Sequence, residues 1–445
     1  VFVRTLRSLF LFARIFWSYA LQWALWSLTG RKLLGGRWER VHEINARRLA
    51  RGFTALRGVY IKLGQIISVL GTFLPSAYAN ALERLQDDVP PRPFSEVVGR
   101  LEHAWGTSWR NRFSRFDETA LAAASLAQVH RAQLVDGDDV AVKILYPDVQ
   151  RLISVDLRVI SWVMPIVHRL FGFRRTDKVV EQLRKMLAEE TDYAHERDNI
   201  EKVRTVVGDR TDLVVPRVYE DLSNDSVLVL SFEHGVKPSD AQILSDAGSD
   251  PLAIANTLVD VYLTMLLEHH LFHADPHPGN FLVRGKQLVM LDYGAMGRVS
   301  EELVVGLKKV IMGGLSRNAD QVLSGIEQMG FVAEDGDREL LRKVGREYLH
   351  ALASMKVSNF ATLDRQQIRR LSGFDQLRGR LRTVAKSVAY PEGYFYLERT
   401  MVLLFGVVAG LAPDKGLLGV AAPHASRALL RSYSRRRETA QATPS

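Results

Sequence analysis

The 445-residue sequence has no cysteine. That excludes disulfide staples, thiolate zinc sites and cysteine nucleophiles, and leaves oxygen or imidazole as the only ligands for a metal. Aromatic side chains are scarce, at 9%, while 47% of residues are apolar, which fits a globular chain of two or three domains. No internal repeat is apparent, and no GxGxxG phosphate loop occurs. The net charge of +9 is confined to one end: residues 1–57 hold eleven Lys/Arg against two acids, and the remainder balances at 48 each. The body carries no basic excess, so no nucleic-acid partner is expected.

The basic end opens "VFVRTLRSLFLFARIFWSYALQWALWSLTG". At 100° per residue Arg4, Arg7, Arg14, Ser18 and Gln22 share one narrow stripe, while Phe10, Phe12, Ile15, Phe16, Trp23 and Leu25 spread over the rest. The pattern suits a helix lying in a bilayer surface, with arginines toward lipid phosphates and tryptophans at the interface. A true span and a helix buried against the protein stay open, and no small-residue cleavage site supports a signal peptide. No other run approaches the ~20 apolar residues that a span needs. "MVLLFGVVAGLA", Met401 to Ala412, reads as a buried helix.

The remaining order is helices, then strands, then helices. Five segments are expected: a basic amphipathic, membrane-interacting segment 1–52, a helical extension 53–115, a small mixed β domain with a helical insert 116–235, a larger helical domain 236–433 and a disordered tail 434–445. "AQVHRAQLV" and "VAVKIL" alternate as strands about the turn "DGDD", and "DSVLVLSFE" is a further strand. Residues 149–199 read as one long helical stretch, and "FLVRGKQLVMLDYG" as a hairpin.

The chemistry-bearing segment is "HADPHPGN", His273 to Asn280, with "LDYG" starting eleven residues after it, at Leu291. His273, Asp275 and His277 alternate, which allows a two-His, one-carboxylate metal face, although Pro276 and Pro278 oppose a regular strand. A second partition groups Asp275 with Asn280 and Asp292. It has the spacing of a kinase catalytic loop, where one carboxylate orients the acceptor and an amide and a second carboxylate hold the ion bridging ATP phosphates. That partition requires an upstream strand lysine and a helical glutamate. "VAVKIL" supplies Lys143, and "LAEETDYAHERDN" offers Glu190 and Glu196 with Asp192 between them; Glu190 is favoured. The strand ending at Phe232 and Glu233 stands where an adenine-binding hinge would form. Ala122, Ala123, Ala124 and Ser125 replace the phosphate-loop glycines, and their methyls limit how closely the backbone approaches phosphate.

Together these residues resemble the UbiB-type (AarF/ADCK) atypical kinases over roughly 59–398. "KLGQ" (Lys62 to Gln65) is similar to that family's KxGQ motif, "AAAS" to its alanine-rich loop and "ETD" (Glu190 to Asp192) to its ExD motif. The resemblance implies an α+β, protein-kinase-like two-lobed fold with an N-terminal helical extension, using ATP and Mg2+. It implies that Lys143 contacts phosphates and pairs with Glu190, that Asp275 is the catalytic aspartate, and that Asn280 and Asp292 hold the metal. Lys62, Gln65 and Asp192 would be regulatory, the KxGQ helix covering the active site and restricting peptide access. Thr191 and Tyr293 depart from the usual apolar residue and phenylalanine. The C-terminal membrane helices of some members have no counterpart, which puts any anchoring on the N-terminal segment.

The expected function is therefore a Mg-dependent atypical kinase or ATPase at the cytoplasmic face of a membrane, peripheral or interfacial, supporting quinone (ubiquinone) or isoprenoid-lipid metabolism. Membrane lipids, quinone-biosynthesis enzymes or isoprenoid lipids, and a second copy in a homodimer are the partners to consider. The rivals are an ATP-regulated, non-catalytic binding module and a His/Asp metallohydrolase.

Overall fold

The structure is a computed structural model describing residues 2–29, 37–69, 75–83, 91–171, 176–239, 241–333, 335–343, 346, 391 and 394–442. It forms two compact units: 1–198 with 217–232, and 199–216 with 233–445.

The first unit combines a helical part and a sheet. The helices are α1 (Phe2–Thr29), α2 (Arg37–Leu56), α3 (Val59–Val69), α4 (Ser76–Glu83), α5 (Phe94–Trp105), α6 (Val149–Phe171), α7 (Thr176–Glu190) and the start of α8 (Tyr193–Val207). Strands β1 (Phe113–Phe116), β2 (Ala122–Ala123), β3 (Ala127–Leu134), β4 (Asp139–Leu145) and β6 (Val227–Ser231) form an antiparallel sheet in the order β1-β3-β4-β6, with β2 also paired to β3. Alternation along β4 sends Val140, Val142 and Ile144 into a core with Val97 and Leu101 of α5, so Lys143 faces the other side. A second core joins Phe12, Ile15, Phe53, Tyr60, Leu82 and Ile160 from α1, α2, α3, α4 and α6.

This second core changes the reading of α1. Its polar stripe does not act together: Gln22 is buried, Arg4 and Ser18 are half-buried, and Arg7 and Arg14 are exposed. Arg4 donates from Nε to Asp156 Oδ1 at 2.9 Å and from Nη2 to Asp156 Oδ2 at 2.6 Å, and also binds the Leu56 and Arg57 carbonyls. Asp156 is fully buried, and burial raises its pKa against the lowering pull of Arg4. The exposed side is instead apolar. Val3, Leu6, Phe10, Trp17, Leu21 and Leu28 all face outward and fall within about 60° of one another at helical pitch.

The second unit is built on α10 (Pro251–His269). Asp250 caps it through Leu252 N at 2.9 Å, Pro251 opens it, and His270 closes it in the left-handed conformation at φ 56°. Among the described residues α10 is the helix long and apolar enough to cross a membrane, yet 56% of that window is buried in this unit's core. Strand β7 (Leu271–His273) pairs with β10 (Met296–Arg298), and β5 (Leu213–Val214), β9 (Gln287–Met290) and β8 (Phe281–Arg284) form a second small sheet. Around them lie α9 (Ala241–Asp246), α11 (Glu301–Leu315), α12 (Ala319–Gln328), α13 (Tyr394–Leu411) and α14 (Gly416–Ala442). The tail expected to be disordered from 434 continues α14 to Ala442, since its Arg, Glu, Ala and Gln residues favour helix up to the final Pro444. The boundary expected at 52 falls inside α2. Met401–Ala412, expected to be buried, leaves Val402 and Phe405 exposed.

Candidate active site

In the first unit Lys143 stands opposite Val129 of β3 and Leu228 of β6. Its Nζ donates to both oxygens of Glu196, at 2.7 and 2.8 Å, and lies 5.4 Å from the Tyr193 ring centroid. The Glu196 side chain is only 2% exposed. The expected Lys143–Glu190 pair is therefore corrected: Glu190 takes Lys62 Nζ instead and accepts from Ser125 Oγ at 3.4 Å.

A helix break decides this partition. The stretch read as continuous ends α7 at Glu190 and starts α8 at Tyr193, with Asp192 as the cap between them, its carboxylate accepting from His195 N at 2.9 Å. Glu196 thus occupies a helix first turn, where backbone N–H groups favour a carboxylate, whereas Glu190 ends a helix, where carbonyls repel one. The Lys62 ammonium compensates that repulsion. Asp192, expected as regulatory, acts here as a helix cap. The side chain of Gln65 lies outside the described residues. Ala122 and Ala123 pair with Val129 and Gln128, and Ala124 N closes the turn on Ala127 O at 2.8 Å. The Ala122 and Ala124 methyls are exposed, while Ser125 is buried.

In the second unit His273 is fully buried and frames the loop. Asp275 N donates to its Nδ1 at 3.3 Å, so the other nitrogen, Nε2, carries the hydrogen that meets Asp292 O at 2.7 Å. Tyr262 O–H also reaches Nδ1, at 3.2 Å; burial holds this phenol well above its ordinary pKa, with Asp275 adding to the effect. His277 Nδ1 accepts from Gly279 N at 3.1 Å. Asn280 Nδ2 donates to Asp275 O at 2.9 Å, and Leu291 N to Asn280 O at 2.9 Å, which sets Asn280 against the strand end leading into Asp292. Asp292 Oδ1 accepts from Gly294 N at 2.8 Å, and the following Tyr293 O accepts from Asn199 Nδ2 at 3.0 Å. Glu233 accepts from Arg284 at 3.3 Å, and Val236 N bonds Val283 O at 2.9 Å, fixing the segment after β6 to β8.

Asn199 and Tyr262 were not singled out in the sequence. Asn199 lies one helical turn beyond Glu196, a spacing that gives a usable signal; Tyr262 has none within α10. Among the described residues no group of three or more His, Asp or Glu is placed to hold a metal, so the alternating His/Asp face is not formed. Asn280 and Asp292 provide an amide oxygen and a carboxylate, hard donors of the type magnesium prefers when phosphates and water complete its shell, so the donor chemistry fits that ion.

Residues 84–325 match the ABC1 atypical kinase-like domain. The chain belongs to the ABC1 atypical kinase-like family. This bears out the resemblance and the α+β kinase-like fold. The chain is 34% identical over 260 residues to AarF domain-containing protein kinase 1 of Xenopus laevis, covering 57% of this chain and 50% of that protein. It is 28% identical over 410 residues to Protein ACTIVITY OF BC1 COMPLEX KINASE 8, chloroplastic, of Arabidopsis thaliana, covering 86% and 54%. Among solved structures, Rv3197 of Mycobacterium tuberculosis, determined in complex with erythromycin, is similar with a TM-score of 0.54 and 25% identity, covering 85% of this chain and 94% of that one. The chain thus spans about half the length of those two kinase relatives. α1 to α4 and the ridge on α1 lie before or at the start of the ABC1 match.

Proposed function

We propose that this ABC1-family chain is a Mg- and ATP-dependent atypical kinase or ATPase working at a membrane surface in quinone or isoprenoid-lipid metabolism. The observation that carries the catalytic part is the Lys143–Glu196 pair. A strand ammonium held by both oxygens of a buried carboxylate is costly to desolvate, and that cost is consistent with a fixed positive charge kept for polyphosphate. Asp275, bonded from Asn280 Nδ2 to its carbonyl and carboxylate, is suited to orient an acceptor oxygen. Magnesium, held by Asn280 and Asp292, would neutralise phosphate charge. The membrane part is supported by the outward apolar ridge of α1, with Arg7 and Arg14 exposed beside it and Trp17 74% exposed. The quinone or isoprenoid setting comes from the family resemblance.

Phosphate release from ATP by wild type, Lys143→Ala and Asp275→Asn, with and without anionic liposomes, tests the reading. We expect turnover in wild type alone, nucleotide binding retained in Asp275→Asn, and co-sedimentation with the liposomes. Equal rates in all three proteins would remove the catalytic reading. Nucleotide binding lost only in Lys143→Ala, with no turnover anywhere, would select an ATP-regulated binding module. Absence of any vesicle-bound fraction at low salt would remove the membrane part.

A further inference from the structure

The first unit holds positive charge that the chemistry above does not use. Arg57, in the α2–α3 turn with φ 57°, is paired with no acid among the described residues. Arg92, two residues before α5, lies with its guanidinium carbon 4.1 Å from the Tyr146 ring centroid, and its backbone N–H is fixed by Gln128 Oε1 at 3.0 Å. Its acidic neighbour, Glu96, is 3.7 Å away and half exposed. Arg100, further along α5, donates to Tyr146 O at 3.2 Å, yet its Nε is buried without an acceptor. The Tyr146 hydroxyl is in the same condition, on a residue only 2% exposed.

The turn that carries Arg57 lies against the same residue as Tyr146: a Cβ at Gly58 would stand 3.7 Å from Leu126 Cδ2, and Tyr146 N bonds Leu126 O. Burial raises the Tyr146 pKa, while Arg92 and Arg57 pull it down; burial lowers that of Arg92, and Arg57 and Arg4 lower it further against Tyr146 and Glu96. Two arginines, a buried hydroxyl and one half-exposed carboxylate leave donors and positive charge in excess. A phosphate group supplies several acceptor oxygens and the missing charge in a shape that matches guanidinium.

We propose that Arg57, Arg92 and the Tyr146 hydroxyl form a binding site for a phosphate group, with Arg100 holding Tyr146 in place. The site is distinct from Lys143, three residues back along the chain on β4. Tyr146 N donates to Leu126 O at 2.9 Å, so the site is tied to the residue following the alanine-rich loop. It stands whether or not the chain turns over ATP.

Free phosphate and the phosphomonoester headgroup of phosphatidic acid present the same chemistry, and two titrations separate them. The full chain is titrated with inorganic phosphate at fixed ionic strength, and separately with phosphatidylcholine vesicles with and without phosphatidic acid. The proteins are wild type, Arg57→Gln/Arg92→Gln, Tyr146→Phe and Lys143→Ala. Saturable binding is expected, weakened about tenfold or more in the double variant and about threefold to tenfold in Tyr146→Phe, and persisting in Lys143→Ala. Tyr146→Phe keeps the buried ring, so it reads the hydroxyl even where the double variant folds poorly. A response to inorganic phosphate supports a soluble ligand; one confined to phosphatidic-acid vesicles and removed by the arginine changes supports a lipid headgroup. No saturable binding in either arm, equal affinity in wild type and both site variants, or loss only in Lys143→Ala would overturn the proposal.

Discussion

Lys143 and Lys62 each meet a glutamate in the first unit, but the two carboxylates stand at opposite kinds of helix end. Glu196 lies in the first turn of α8, behind the Asp192 cap, with its side chain 2% exposed and both oxygens engaged by one ammonium. Glu190 closes α7, is 25% exposed, and divides its oxygens between Lys62 and Ser125. The first carboxylate is favoured by its own helix, whereas the second is held against its helix by a lysine from α3. Similar residue pairs therefore differ in how readily they separate: Lys143–Glu196 is a fixed element, and Lys62–Glu190 is the one that can part at lower cost.

The sharpest test of that difference is turnover. Glu196→Gln, like Lys143→Ala, is expected to reduce ATP-dependent phosphate release by about a hundredfold or more, while Glu190→Gln changes it by less than about tenfold. Equal losses in steady-state assays of the two glutamine variants would break the comparison.

Arg4 is expected to have the next largest effect, because it fixes the carbonyls at the end of α2 immediately before α3 brings in Lys62. Arg4→Ala leaves the buried Asp156 unpaired and should cost about 3 kcal/mol in urea unfolding at neutral pH, with less lost in Arg4→Ala/Asp156→Ala. The pH dependence has a definite sign. The Asp156 carboxyl is raised in the folded state, so stability falls as pH climbs from its ordinary value of 3.8 through the folded value. Without Arg4 the folded value rises further, and the Arg4→Ala penalty should shrink in acid; a penalty constant from pH 4 to 7 would show that Arg4 acts only through packing.

Asp192→Ala should have the smallest effect. Loss of the α8 cap is expected to cost about 1 kcal/mol in the same unfolding measurement. Weaker nucleotide binding should accompany it, since α8 carries Glu196. Unchanged affinity would mean that α8 is held in place without its cap.

Much of the fold was legible because its signals are local. The alternation in β3 and β4, the DGDD turn and the Asp250–Pro251 opening of α10 are each set by a few neighbouring residues. The loop residues Asp275, Asn280 and Asp292 were found from spacing, and His273 emerges as the frame that joins Asp275 N to Asp292 O. Local pattern fell short where it had more than one tertiary solution. The break at 191–192 is short and follows strong helix formers, so local pattern favoured Glu190 over Glu196. The stripe on α1 was polar by helical position, but position alone does not say whether its partner is water, lipid or a buried carboxylate.

The sequence by itself determined the element types, the alanine-rich turn and the set of charged residues available for phosphate chemistry, because propensity, alternation and spacing act over a few residues. Only the tertiary structure decided which glutamate meets Lys143 and which way α1 turns. Those outcomes depend on partners more than fifty residues away, Lys143 for Glu196 and Asp156 for Arg4, whose approach no local pattern encodes.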